Sequence, residues 1–297
     1  MTYNPALAEL GFAADDRVVI IHADDVGMCE ATIGAFFELA AGGVVSAGSV
    51  MVPCPWFPAV AAGCRNDAEL DVGVHLTLTS EWDGYRWGPI STRDPASGLL
   101  DEEGYFYRNQ DQWRSIDPAA VYREAETQVD RALAAGLDLT HIDHHMFAML
   151  HTSLADQYVS VGFNRQLPVL MTRQPQWVAA LSEEAIAGWE RQGLPVFDHL
   201  RHMPLDEPTT HRLDVTMQLF DELPPGLTYL ITHPARDTPE LRAIAPDWRQ
   251  RVADFETFRD GRLARHLRRN GIQVIGWRPL QELMRTRCKR RLMGGQT

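Results

Sequence analysis

Short apolar runs and longer stretches of mixed polarity alternate along this chain. The first apolar run is RVVIIHA, starting at Arg17. Others follow at Val44–Val52, Leu70–Thr79, Leu139–Phe147, Pro168–Thr172, Pro195–Leu200, Leu227–His233 and Ile272–Trp277. They are short, rich in Val, Ile, Leu and Thr, and bounded by turn residues, as buried strands are. The stretches between them carry apolar residues at helical spacing. EATIGAFFELAAGG ends at the stop signals Gly42 and Gly43, and PAAVYREAETQVDRALAAG ends at Gly136. Strands alternating with helices predict an α/β fold with a parallel sheet. Eight candidate strands predict a distorted, TIM-like (β/α) barrel of seven to eight strands, with residues 1–297 as a single domain.

One connection breaks the rhythm. Residues 80–118 read SEWDGYRWGPISTRDPASGLLDEEGYFYRNQDQWRSIDP, with no helical or strand period. Loops beyond about 12–15 residues in a compact domain are usually functional or disordered. The aromatic content argues against disorder. Trp82, Tyr85, Trp87 and Tyr107 suit stacking on a sugar ring, and equally suit packing the loop onto the barrel.

Charge and cysteine content narrow the function. Asp plus Glu number 40 against 28 Lys plus Arg, a net charge of −12. Such a chain lacks the positive face that nucleic acid or an anionic membrane requires. Its one basic run, Arg285–Arg291, reads as a solvated helix end. Cys29, Cys54, Cys64 and Cys288 form no CxxC pair or disulfide framework, so reduced thiols and a cytoplasmic protein are expected. The opening residues lack the pattern of a signal peptide, and no apolar stretch reaches membrane-spanning length.

Candidate chemistry collects at the carboxyl ends of the predicted strands, where (β/α) barrels keep their active sites. The first strand ends in Asp24-Asp25. The third carries His75, the fourth HIDHH (His141 to His145), and the seventh ends in His233 before Pro234. Alternation along a strand puts His141, Asp143 and His145 on one face, with Ile142 and His144 on the other. Such side chains are costly as plain core, whereas two neutral imidazoles and a carboxylate make a three-ligand metal site with open positions. The metal would lower the pKa of bound water and polarise a carbonyl. Of Asp24 and Asp25, one can bind the ion and the other act as general base. His233 is the natural general acid. His22, two residues before Asp24, points inward as a group that could touch the site. His199 reads as a hydrogen-bonded barrel histidine. His151, His202, His211 and His266 carry no signal.

With these residues in place, the chain resembles the YdjC-like carbohydrate deacetylases. HADDVGMCEATIGAFFELAAGGVVSAGSVMV is similar to that family's strand, NADDFG, helix and second strand. VGVHLTLT is similar to GxHLxLT, THIDHHMF to THIDSHHH, THPA more loosely to GHPG, and GIQVIGWRPL to a closing GIxLISWxxL. The resemblance implies a metal-dependent barrel that removes acetyl groups from N-acetylated sugars or oligosaccharides. By position it implies Asp25, His75 and His145 as metal ligands, Asp24 as base and His233 as acid. His141 and Asp143 would orient the ligands. One divalent ion is expected, Zn²⁺ or Mg²⁺, with Mn²⁺ or Co²⁺ as alternatives. A homodimer is a reasonable guess for the assembly. His22 stands where the family has Asn, His144 where Ser is common, and Ala235 in place of Gly. Met146, Phe147 and Met149 replace further histidines. The residues from Gln174 to Pro225 match weakly. Two alternatives share the scaffold: a phosphoesterase or other amidohydrolase, which would favour two metals, and a non-catalytic sugar-binding protein.

Overall fold

The computed structural model describes residues 3–42, 44–150 and 152–294; Gly43 and His151 lie outside them. Among the described residues, seven parallel strands form one sheet: β1 (Arg17–Val26), β2 (Ala47–Val50), β3 (Val72–Leu76), β4 (Leu139–His144), β5 (His199–His202), β6 (Gly226–Thr232) and β7 (Gln273–Val274). Their order is β4-β3-β2-β1-β6-β5, with β7 beside β1. Helices separate most of them, giving the expected α/β alternation. Every position of β1 after Arg17 is buried, as in parallel strands covered on both faces.

The distortion of the barrel has two sources. First, the predicted run Pro168–Thr172 forms no strand of its own. It makes only single bridges, Ile142↔Val169 and Thr172↔Phe197. Backbone hydrogen bonds Ile142 N→Pro168 O, Leu170 N→Ile142 O and Phe197 N→Met171 O still carry the pairing from β4 towards β5. Pro168 lacks the N–H that a longer ladder would need. Second, β1 pairs along its length with β6, but its other edge is shared. β2 pairs with His22, Ala23 and Val26, while β7 takes Val18 and Val19. The gap between the start of β2 and β7 opens a cavity at the amino-terminal end of the sheet, lined in part by Ser46, Asp67, Glu69, Asp71 and Gly276.

The long connection is folded onto the body. Asp117 caps the helix Pro118–Ala134 by accepting from Ala119 N, with Pro118 at its first position. On that helix's buried face, Glu124 accepts hydrogen bonds from Ile90 N and Ser91 N, while Gln128 pairs with Thr77. Half-buried Arg86, whose side chain is almost wholly covered, joins Asp101 and the Phe106 carbonyl, each at 2.7 Å. The segment is therefore fixed by buried polar anchors despite lacking any sequence period. No helix among the described residues is long and apolar enough to cross a membrane.

Candidate active site

Two adjacent acids reach one cavity because β1 does not end as a regular strand. In extended backbone, neighbouring side chains point to opposite faces. Here Asp25 has φ of 61°, Gly27 has φ of 84°, and the pairing with β2 slips between Ala23 and Val26. This bulge presents both carboxylates to the same space. At Gly27 a side chain would meet the left-handed backbone and Val60, 2.7 Å from an added Cβ. A similar break follows β4. Met146 and Phe147 have φ of 50° and 54°, and the turn leaves His145 facing Asp25.

The buried side chains converge on Asp25 Oδ1. His145 Nδ1 lies 3.1 Å from it and His75 Nε2 3.4 Å. Neither contact has good hydrogen-bond geometry, so Oδ1 is buried without a hydrogen-bond partner among the described residues. The far nitrogens are held by carboxylates: His75 Nδ1 by Asp143 at 2.9 Å, and His145 Nε2 by Glu81 at 3.0 Å. Ser49 and Tyr229 donate to Asp143 Oδ2 at 3.0 and 2.9 Å. Asp25 Oδ2 accepts from Arg251 Nη1 at 2.8 Å, and Arg251 Nε reaches Asp247 at 2.9 Å. One carboxylate oxygen is thus occupied, and the other is left facing two imidazole nitrogens. These three donor groups lie close enough together to hold a cation.

Electrostatics follow the same layout. Burial pushes the Asp25 carboxyl up, but His145 and Arg251 outweigh it and hold it well below the usual carboxylate range. Burial pushes His75 down, while Asp143 and Asp24 lift it well above an ordinary imidazole. Glu81 and Asp25 overcome the same burial penalty at His145 and raise it to about 9. Asp24 Oδ1 lies 2.6 Å from His22 Nδ1, and Oδ2 is 3.8 Å from His75 Nε2.

His233 lies across the same cavity. Its backbone N–H and the Thr232 hydroxyl donate to Asp254 Oδ2, whose other oxygen is clamped by Arg212. The imidazole Nδ1 is buried and has no hydrogen-bond partner among the described residues. Burial lowers its pKa, and Arg251 adds to that against the opposing pull of Asp25.

The cavity is about 390 Å³, and Asp24, Asp25, His75, His145 and His233 line it with Arg251. Apolar walls come from Trp82, Phe147, Met203, Leu205 and Ile231. Of the four aromatic residues expected to face a sugar, only Trp82 lines this space. Trp87 is buried, donates to the Thr79 carbonyl and packs edge-on against His145. Tyr85 is half-buried and donates to the Met28 carbonyl. Tyr107 belongs to a separate depression with Asp101 and Arg108. Trp87 and Tyr85 pack the loop onto the barrel, which is the other role their composition allowed.

His144 is turned from Asp143 by strand alternation, although it still contributes to the cavity lining. It packs against Tyr158 and Trp177, and burial holds it neutral, with a pKa down to about 3. Glu81, Ser49, Tyr229, Asp247, Arg251 and His202 were not singled out in the sequence. The signal for Arg251 was present: Arg251, Asp254, Phe255 and Phe258 form one buried helical stripe. His202 ends β5 and lines the cavity.

A parallel α/β barrel with a buried Asp-His-His cluster at its strand ends defines the class, and comparison with known proteins names the family. Residues 18–269 match the YdjC-like protein family, and the chain belongs to it. It is 34% identical over 273 residues to a carbohydrate deacetylase of Thermus thermophilus, covering 90% of this chain and 95% of that one. A carbohydrate deacetylase of Thermoanaerobacter pseudethanolicus is 25% identical over 264 residues, covering 88% and 98%. Among solved structures, a candidate cellobiose-phosphate cleavage protein of Enterococcus faecalis shares the fold. Its TM-score is 0.77 at 22% identity, over 89% of this chain and 99% of that one.

Proposed function

We propose that the chain is a metal-dependent carbohydrate deacetylase that hydrolyses the N-acetyl group of an amino sugar or oligosaccharide. The observation that carries this reading is the convergence of Asp25, His75 and His145, with both imidazoles backed by carboxylates. Ligand histidines are commonly oriented in this way. The buried, unpartnered Asp25 Oδ1 fits the same group. The family and the names of the relatives support the substrate class.

Asp25, His75 and His145 would hold one divalent ion, and a carboxylate with two imidazoles suits Zn²⁺ first. When bound, such an ion polarises the acyl carbonyl and acidifies water. Asp24 takes the proton of the attacking water. His22 holds one Asp24 oxygen, leaving the other for this task. His233, which lines the cavity, donates to the departing sugar nitrogen. A depressed pKa makes it a willing donor once protonated. Asp254 fixes its backbone, and Arg251 fixes the orientation of Asp25. Trp82 offers an apolar wall beside the ring.

The test is acetate release from N-acetylglucosamine oligomers by chelated protein before and after a divalent ion is restored, with the bound metal counted. Activity with one ion per chain is expected. Absence of metal-dependent acetate from every N-acetylated sugar would overturn the reading. Two ions with phosphate-ester turnover would replace it with a phosphoesterase.

A further inference from the structure

A file of buried polar groups crosses the barrel from the site to its opposite end. Asp24 Oδ1 lies 2.6 Å from His22 Nδ1, and His22 Nε2 lies 2.8 Å from His141 Nε2. His141 Nδ1 is 2.9 Å from the Thr140 hydroxyl, which in turn bonds Asp71 Oδ1. His22, His141 and Thr140 are fully buried. Asp71 precedes β3 and lines the separate cavity between β2 and β7. Its other oxygen accepts from Arg278 N at 2.8 Å.

The surroundings are shaped to this file. His141 stacks flat on Trp277, with centroids 4.7 Å apart and planes 7° off parallel. A Cβ at Gly73 would stand 2.5 Å from the His141 ring, and one at Gly276 would stand 2.2 Å from Asp71 Oδ2. Any side chain at either glycine would collide with a member of the file.

We infer that Asp71 is a positioning residue for the reaction, acting on Asp24 from the far end of the barrel through Thr140, His141 and His22. This rests on the reading of Asp24 as the base. A neutral imidazole carries one N–H, so the direction of each ring's bond at one link sets its direction at the next. If Asp71 is protonated, it donates to Thr140, Thr140 to His141 Nδ1, His141 Nε2–H to His22 Nε2, and His22 Nδ1–H to Asp24. Asp24 Oδ1 is then held as an acceptor. If Asp71 accepts from Thr140 instead, the links as far as His22 reverse, and His22 Nδ1 has no proton to offer Asp24. Burial raises the Asp71 pKa against the pull of its hydrogen bonds, which favours the first state.

Two substitutions separate the cases. Asp71→Asn keeps an acceptor for Arg278 N and turns its amide donor to Thr140, reproducing the first polarity. Thr140→Val keeps the strand and its shape but cuts the file. Two readouts are taken: kcat and KM for acetate release, and the His22 and His141 tautomers by nitrogen NMR of chelated, substrate-free protein. Thr140→Val is expected to lower kcat about tenfold with KM unchanged, and to abolish the single His22 Nδ1–H tautomer. Asp71→Asn is expected to retain both. Wild-type kcat and tautomer in Thr140→Val, or equal losses in both variants, would overturn the inference. If the wild-type protein releases no acetate, the function fails but the tautomer measurement still decides the file.

Discussion

Chelated protein should replace its missing cation with protons, and its stability should show it. His145 sits between two carboxylates, 3.1 Å from Asp25 and 3.0 Å from Glu81, almost fully buried. Without an ion, this arrangement raises its pKa from 6.5 to about 9. A group raised on folding contributes stability that is complete below the unfolded value and lost as pH climbs through the folded one. The gap is worth about 3 kcal/mol, disappearing between pH 6.5 and about 9. His75 is shifted in the same direction and adds to the loss. Urea unfolding of chelated protein at pH 6.5 and at about pH 10 measures it, and His145→Asn should flatten the difference. Metal loading near neutral pH should release protons, because imidazole ligands bind deprotonated, and affinity should rise towards pH 9. Equal stability at both pH values, with no proton released on loading, would mean the histidines are neutral without metal.

Other predictions follow from single contacts. Asp25→Ala should lose the metal, whereas Asp24→Asn should keep it and lose turnover; metal content and acetate release separate the two. Arg251→Met removes the buried guanidinium that pairs with both Asp25 and Asp247 and should destabilise chelated protein by about 3–5 kcal/mol, less when metal is restored, as read from urea midpoints. Trp87→Ala should cost about 3–5 kcal/mol as a core truncation and weaken metal binding through His145. Trp82→Ala should chiefly raise KM, which a kinetic comparison of the two variants would show.

Legibility in the sequence followed the cost of burial. β1, β3, β4 and β6 were readable because strands covered on both faces must be almost continuously apolar. Histidines and acids stand out against that background, which is why Asp24, Asp25, His75, His141, Asp143 and His145 can be singled out in the sequence, and the fold clusters them. The closing segments were harder. Pro168–Thr172 has the composition of a strand, but only tertiary contacts decide that its pairing stops at single bridges. β7 shrank to two residues because it fills only the part of the β1 edge that β2 leaves free. Glu81 carries no pattern at all: it acts on His145 because loop anchors such as Glu124 bring it there. Trp82 and Trp87 are indistinguishable in sequence, yet one indole faces the cavity and the other supports a histidine.

The anchored loop changes what damage to the surface would mean. Glu81 and Trp87 belong to the segment that Glu124 and Arg86 hold down, and both touch His145. The loop is therefore part of the scaffold that holds His145 in place, although none of its residues is among the proposed ligands. A protease cut between Ser91 and Asp101 would leave Asp25, His75 and His145 in the chain and still loosen their grip. Limited proteolysis and metal retention would then report a single event, and bound metal would in turn protect a peptide bond far along the chain from any residue that holds it.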